Sequence, residues 1–192
     1  MAFDYFVDET FHVQRNRGGQ TFYVFAVVGV RRKDLASVTS QILERFQGKR
    51  WHSVEILARK NGPTKFIDFV SHFGPNLNLQ IFQLSPIDEF DSAGELSRRQ
   101  LIVEIVTRLS GGPSSSFVIF EKRAGGQLKL DKASLLILRL AGYDRVRMKS
   151  PENARLLWLA DALAYAYRRW LVDGDVSLLD GFRNKVEIQK LN

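Results

Sequence analysis

The chain has 192 residues, 45% of them hydrophobic, and a formal net charge of +7, which suits one domain over residues 1–192 with residues 171–192 as a peripheral C-terminal extension. It has no cysteine, which excludes disulfides and Cys-ligated metal sites and fits a reducing cytoplasm. No apolar run approaches the roughly 20 residues needed to cross a bilayer, and Met1 to Thr10 lacks the basic start and apolar block of a signal peptide, so the sequence reads as a soluble cytoplasmic protein.

In chain order, Phe3 to Phe11 is aromatic and β-branched and reads as a strand, with Asp4, Phe6, Asp8 and Thr10 on one face and Tyr5, Val7, Glu9 and Phe11 on the other. Gln14 to Gln20, with Gly18-Gly19, is a turn into the apolar run Thr21 to Val30. Asp34 caps a helix that Gly48 stops, Trp51 to Leu57 is a motif without a clear element, and a second helix lies between Gly62-Pro63 and Gly74-Pro75. Leu77 to Leu84 alternates as a strand. Ser92 and Glu95 have capping-box spacing for a helix reaching Leu109. Phe117 to Phe120 is a short strand ending in Glu121, Asp131 caps a helix from about Ala133 to Ala141, and Arg145 to Lys149 is extended. Ser150-Pro151-Glu152 marks the start of the longest helix, to about Leu171, after which a short helix near Leu178 to Phe182 and an edge at Val186 to Ile188 are predicted. A hairpin followed by alternating helices and strands implies an α/β layered fold with a mixed sheet.

Asp8 follows Phe6 on a half-buried face, where a carboxylate needs a donor, a partner or a metal, unless it simply caps the turn after the strand. Asp161 is the most informative acid. It sits mid-helix among Leu157, Trp158, Ala164 and Tyr165, a position unfavourable to Asp unless it is paired or part of a site. Arg168 is too far along the helix to be its i+3 or i+4 partner. Glu55, Glu121 and the loop acids Asp88, Glu89 and Asp91 stand at element ends, and acids converging at the C-terminal edge of a sheet bind hard ions such as Mg²⁺ or Mn²⁺. Two such ions about 4 Å apart serve phosphodiester hydrolysis. The histidines His12, His52 and His72 lack zinc spacing, though His52 stands three residues before Glu55. Gly111-Gly112 and Gly125-Gly126 lack the spacing of a phosphate-cradling loop, which argues against a small-molecule phosphohydrolase.

Phe6-Val7-Asp8-Glu9-Thr10, the His-Ser motif in Trp51-His52-Ser53-Val54-Glu55-Ile56, the strand-end acid Glu121, and Ser150 followed by Leu157-Trp158-Leu159-Ala160-Asp161-Ala162 together resemble the bacterial and phage family catalogued as domain of unknown function 3800. The resemblance spans about Asp4 to Arg169. It implies a ribonuclease-H-like three-layer fold, a central mixed sheet flanked by helices, and a metal-dependent nuclease acting on DNA or RNA. Asp8 and Asp161 then correspond to the first-strand and last-helix aspartates. Glu121 takes the strand-end position, one methylene longer than the family's Asp, and Glu55 substitutes for the acid expected where Arg50 stands. The catalytic set is Asp8, Glu55, Glu121 and Asp161, with Asp8, Glu121 and Asp161 as Mg²⁺ or Mn²⁺ ligands and Asp88 in reserve. Lys122, Arg123, Lys149 and His52 are the substrate-binding candidates, and Phe11 or Trp51 could stack on bases if not engaged in packing. Because Arg50, Glu121 and Trp158 depart from the family pattern, the alternative is a catalytically inactive nucleic-acid-binding or scaffold module. The positive charge suits either, although it comes as dispersed doublets such as Arg31-Arg32 and Arg98-Arg99.

Overall fold

The computed structural model describes residues 2–12, 21–46, 51–73, 76–110 and 116–191. The predicted Gln14–Gln20 turn, Gly48, Gly74-Pro75, Arg50 and Gly111-Gly112 lie outside them. The described elements run β1 (Phe3–His12), β2 (Phe22–Arg31), α1 (Leu35–Phe46), α2 (Ser53–Leu57), α3 (Gly62–Phe73), β3 (Asn78–Leu84), α4 (Glu95–Leu109), β4 (Val118–Glu121), α5 (Gln127–Leu140), β5 (Val146–Lys149), α6 (Leu157–Asp173), α7 (Ser177–Asp180) and β6 (Val186–Leu191). None of the described helices is long and apolar enough to cross a membrane.

The six strands form one mixed sheet in the order β5-β4-β1-β2-β3-β6. β2 is antiparallel to both β1 and β3, while β4 runs parallel to β1 and to β5, and β6 parallel to β3. This is the three-layer α/β architecture with a central mixed sheet that the sequence implies. Alternation along the strands divides the core in two. Phe6, Val24, Ala26, Val28 and Ile119 face α1, α2, α3, α6 and α7, whereas Val7, Tyr23, Phe25, Val27 and Phe120 face α4 and α5. β2 is buried along both faces, which is why its sequence is an unbroken apolar run.

Helix α6 lies across β1 and β2 on the first face, with Ala160, Ala162, Ala164 and Ala166 buried. Small side chains allow that close approach, so residues of α6 reach the strand acids. The C-terminal segment contributes the edge strand β6, and its Leu178 and Phe182 are buried in the first core.

Three predicted helix starts are corrected. Ser92 and Glu95 do not form a capping box. Gly94 takes the N-cap position in the left-handed region at φ 72°, and Asp91 accepts the amides of Leu96 and Ser97 at 3.0 and 2.8 Å. Asp131 is not a cap but lies within α5, fully buried, because two guanidinium groups claim it: Arg98 Nη1 at 2.6 Å and Arg123 Nη2 at 2.7 Å. The helix after Ser150 begins only at Leu157. Ser150 O instead accepts the amides of Asn153 and Ala154, and residues 150–156 form turns against the sheet edge.

The ionic group beneath the second face is continuous. Arg98, 2% exposed, also donates its Nε to Glu9 at 2.7 Å, and Arg123 pairs with Glu95 as well. Removing one member of a buried ion pair strands its partner. Arg98→Met is expected to cost about 3 kcal/mol or more, a fall in Tm of roughly 10 °C, measured by urea and thermal denaturation.

Candidate metal centre

Asp8 lies just past the middle of β1, and the parallel register that pairs Val7 with Phe120 continues to bring it level with Glu121 at the end of β4. Asp161 approaches from α6. All three line one cavity of about 500 Å³, together with His52, Trp158 and Arg168. Asp8 Oδ1 accepts the Glu9 amide at 2.8 Å, and among the described residues no cation stands within ion-pair distance of it. Its carboxyl is held well above the ordinary aspartate range, by burial first and then by the charges of Glu121 and Asp161.

Asp161 is held differently. Its Oδ2 accepts both the backbone amide of Ser53 at 2.8 Å and the Ser53 hydroxyl at 2.7 Å. Ser53 is fully buried, and its Oγ in turn accepts the Trp51 indole N–H at 3.0 Å. Burial raises the Asp161 carboxyl, and the Ser53 contacts and the nearby His52 partly offset it. The Trp51–Leu57 motif therefore acts through α2, whose first residue fixes the carboxylate of α6. Ser53 was visible in the sequence only as part of the His-Ser motif, without a role of its own.

His52 lines the same cavity, and its Nδ1 is buried with no hydrogen-bond partner among the described residues. Arg168 is also there, donating to the Phe11 carbonyl at 2.6 Å. It forms no ion pair among the described residues. The helical spacing that disqualifies Arg168 as a local partner of Asp161 does not bear on its reach across to β1.

The other candidates separate. Glu55 lies on the outer face of α2, exposed and 3.9 Å from Arg59, and the structure does not bring it to the three acids. Its neighbour Ser53 turns inward because α2 presents that residue to α6. Asp88 accepts the Phe90 amide in a surface turn at 2.8 Å. Lys122 is exposed and lines a small cavity of about 140 Å³ next to Asp8 and Glu121. Arg123 lines it too, but its guanidinium is committed to Glu95 and Asp131. Lys149 lines a second, larger cavity on the same face of the sheet. Trp51 is 2% exposed and stacks on Phe69 at 4.0 Å between ring centroids, so it packs the core, whereas Phe11 is 41% exposed and stacks on Tyr23.

The donor chemistry of Asp8, Glu121 and Asp161 is that of a site for a hard divalent ion, with carboxylate oxygens and mutual repulsion that such an ion relieves. As placed, no three His, Asp or Glu side chains among the described residues stand close enough together to hold a metal ion. The acids are gathered in one cavity without being closed into a ligand set.

The raised carboxyl makes stability pH-dependent with a definite sign. The unfolded chain ionises Asp8 in the ordinary range while the folded protein retains the proton to higher pH. Between those two pKa values the folded state binds more protons, so stability falls as pH rises through that window, and the loss is complete above the raised pKa. Asp8→Asn removes this penalty. In metal-free buffer the variant is expected to melt above wild type near about pH 8, by about 2–4 °C for each kcal/mol regained, with the difference shrinking below about pH 4. Differential scanning calorimetry across pH reads it, and a lower Tm for the variant at neutral pH would refute the repulsion.

No known family model matches the chain and no curated protein matches it in sequence. Among solved structures, the crystal structure of Bst-RNase HIII in complex with Mn²⁺ is similar at 12% identity and a TM-score of 0.44, over 92% of this chain and 54% of that one. The chain thus spans about half the length of that protein.

Proposed function

We propose that this protein is a phosphodiester hydrolase of DNA or RNA that works with Mg²⁺ or Mn²⁺ held by Asp8, Glu121 and Asp161. The observation that carries this reading is the convergence of Asp8, Glu121 and Asp161 on one cavity, with no cation among the described residues within ion-pair distance of Asp8; burial and the two other acids raise its carboxyl accordingly. Acids gathered against their own repulsion are poised for a divalent cation. A cation held there supplies activation of water and neutralises charge on the phosphodiester. The chain's own residues do the rest. Ser53 fixes the orientation of Asp161 through two hydrogen bonds to one oxygen. Lys122 and Arg168, cations at the two cavities flanking Asp8, hold the phosphate, and the ring of His52 forms part of the wall of the larger of the two. The net charge of +7 favours a polyanionic partner.

The strand order and sense, with β1 and β2 antiparallel and β4 and β5 parallel to β1, support a ribonuclease-H-like assignment. The motifs around Asp8, Ser53 and Asp161 support placing the chain with the domain of unknown function 3800 family. A second reading, a binding or scaffold module without catalysis, is favoured by one observation: the acids are not closed into a ligand set among the described residues.

Cleavage of labelled single- and double-stranded DNA and RNA in Mn²⁺, Mg²⁺ and EDTA separates the two. Wild type is expected to cut with metal and not with EDTA, and Asp8→Asn and Asp161→Asn to be folded and inactive. Ser53→Ala is expected to lose about 10–100-fold in metal affinity or activity, the usual cost of removing a group that orients a ligand. Saturating Mn²⁺ should raise the wild-type Tm, since about 100 Kd of ligand adds about 2.7 kcal/mol, and should leave Asp8→Asn little changed. Absence of cutting together with no metal-induced shift would give the module reading its place.

A further inference from the structure

We propose that the large cavity beside the carboxylates takes an unpaired nucleotide of a single-stranded nucleic acid, with its base against an apolar wall and its phosphate on Arg147, Lys149 and Arg155. The inference rests on reading the carboxylate site as one that acts on nucleic acid, and it specifies the form of the substrate. The cavity measures about 770 Å³ and lies between α1, the 150–156 turn and the β4–β5 end of the sheet. Its size falls within the roughly 300–1,000 Å³ of small-molecule sites, ample for one nucleotide. Phe6, Leu35, Phe117, Ile119 and Leu156 supply the apolar wall.

The lining carries more basic than acidic side chains. Among the described residues none of Arg147, Lys149 and Arg155 forms an ion pair with an acid. The acids in the lining are Asp4 and Glu152. Asp4 is already engaged by Arg32 at 2.8 Å and by the Phe117 amide at 3.1 Å, and Glu152 is at the exposed turn. Aromatic rings and backbone carbonyls rather than carboxylates hold the arginines in place, Arg147 Nη1 donating to the carbonyls of Asp144 and Val146. Arg145 and Arg147 stand 5.2 and 5.7 Å from the Phe117 centroid, and Arg155 lies 4.7 Å over Trp158. Such contacts orient a guanidinium while leaving its charge available to an anion.

Register connects this cavity to the carboxylates. Lys149 is paired with Glu121, and Arg147 with Ile119, which is paired with Phe6, two residues before Asp8. The two rows are therefore about 7 Å apart along the strands, and Trp158, in the carboxylate cavity, carries Arg155 of the other. β5 ends the sheet, so the track is open to an arriving strand. A base stacked within a duplex cannot turn its face into a concave apolar wall, whereas an unpaired one can.

The test is fluorescence anisotropy in EDTA, so that no metal or chemistry is needed, using a labelled oligonucleotide as single strand and as blunt duplex, with adenosine monophosphate as competitor. Ala36→Trp fills the cavity from the exposed side of α1, and Arg147→Gln combined with Arg155→Gln removes charge without volume. Wild type is expected to prefer the single strand. Ala36→Trp should bind it about 5–160-fold more weakly, the span for loss of one stacked base, and the double variant should reduce the salt slope by about 1.4, the loss of two phosphate contacts on a single strand. Single-strand binding by both variants equal to wild type would overturn the proposal, as would preference for duplex or a free nucleotide binding as tightly as the strand. Variants that bind as wild type while metal-dependent cutting persists would sink this inference and leave the hydrolase standing. Weakened variant binding without any cutting would do the reverse.

Discussion

Adjacent acids on a strand must point to opposite faces, and in the second half of β1 that constraint places Asp8 and Glu9 in opposite electrostatic surroundings. On the α4 side Glu9 meets Arg98, which in turn meets Asp131, so the charge is answered by buried guanidinium groups. On the α6 side Asp8 meets two more carboxylates. A chain that buries Arg98 to neutralise one of these acids can plainly build such pairs. That it instead presents Glu121 and Asp161 to the other sets the two faces of β1 to different tasks. The first holds the sheet to its helices, and the second stores electrostatic repulsion at the mouth of a cavity.

Repulsion of this kind persists only if the surrounding packing over-determines it. The alanine positions of α6 bring its axis close to the sheet, and Trp158, Leu159, Leu163 and Tyr167 are fully or almost fully buried around Asp161. Ser53 then removes the remaining freedom by holding one carboxylate oxygen twice. Trp51 fixes Ser53 and is itself stacked on Phe69 of α3. Orientation of the α6 acid is thus inherited from a packed aromatic cluster two elements away. A carboxylate placed this way is restrained without being neutralised, since hydroxyl and amide donors favour its ionised form but bring no net charge.

The strands were legible because period-two alternation and unbroken apolar runs report burial directly, as in β2 and β3, and the faces of β1 assigned from that period are those the structure adopts. Asp161 could be singled out because a mid-helix acid among leucine, tryptophan and alanine contradicts its surroundings. What pattern could not reveal was pairing across distance. Asp131 has the local look of a cap, but Arg98 and Arg123 come from other elements and draw it inside. Ser150-Pro151 has the local look of a helix start, yet the turns of 150–156 delay α6 to Leu157. Glu55 and Ser53 are two residues apart on one short helix, and only the docking of α2 against α6 decides which of them faces inward. That choice depends on tertiary contacts more than one hundred residues apart in sequence, 108 for Ser53 and Asp161.

The same distinction explains how a basic protein carries an acidic site. The cations on the α4 side are consumed by internal acids, so Arg98 and Arg123 contribute little to the field outside. Those on the α6 side near β4 and β5 are held by Phe117 and Trp158, and an aromatic face positions a guanidinium without cancelling it. Acids and basic side chains therefore stand side by side on a single sheet face, Lys149 level with Glu121 and Arg147 level with Ile119. On the reading proposed for the acids, a polyanion repelled by the first and attracted by the second would settle along the cations, with one phosphate near the acids only when a divalent ion inverts the local sign there. Metal binding and substrate placement would then be coupled through charge.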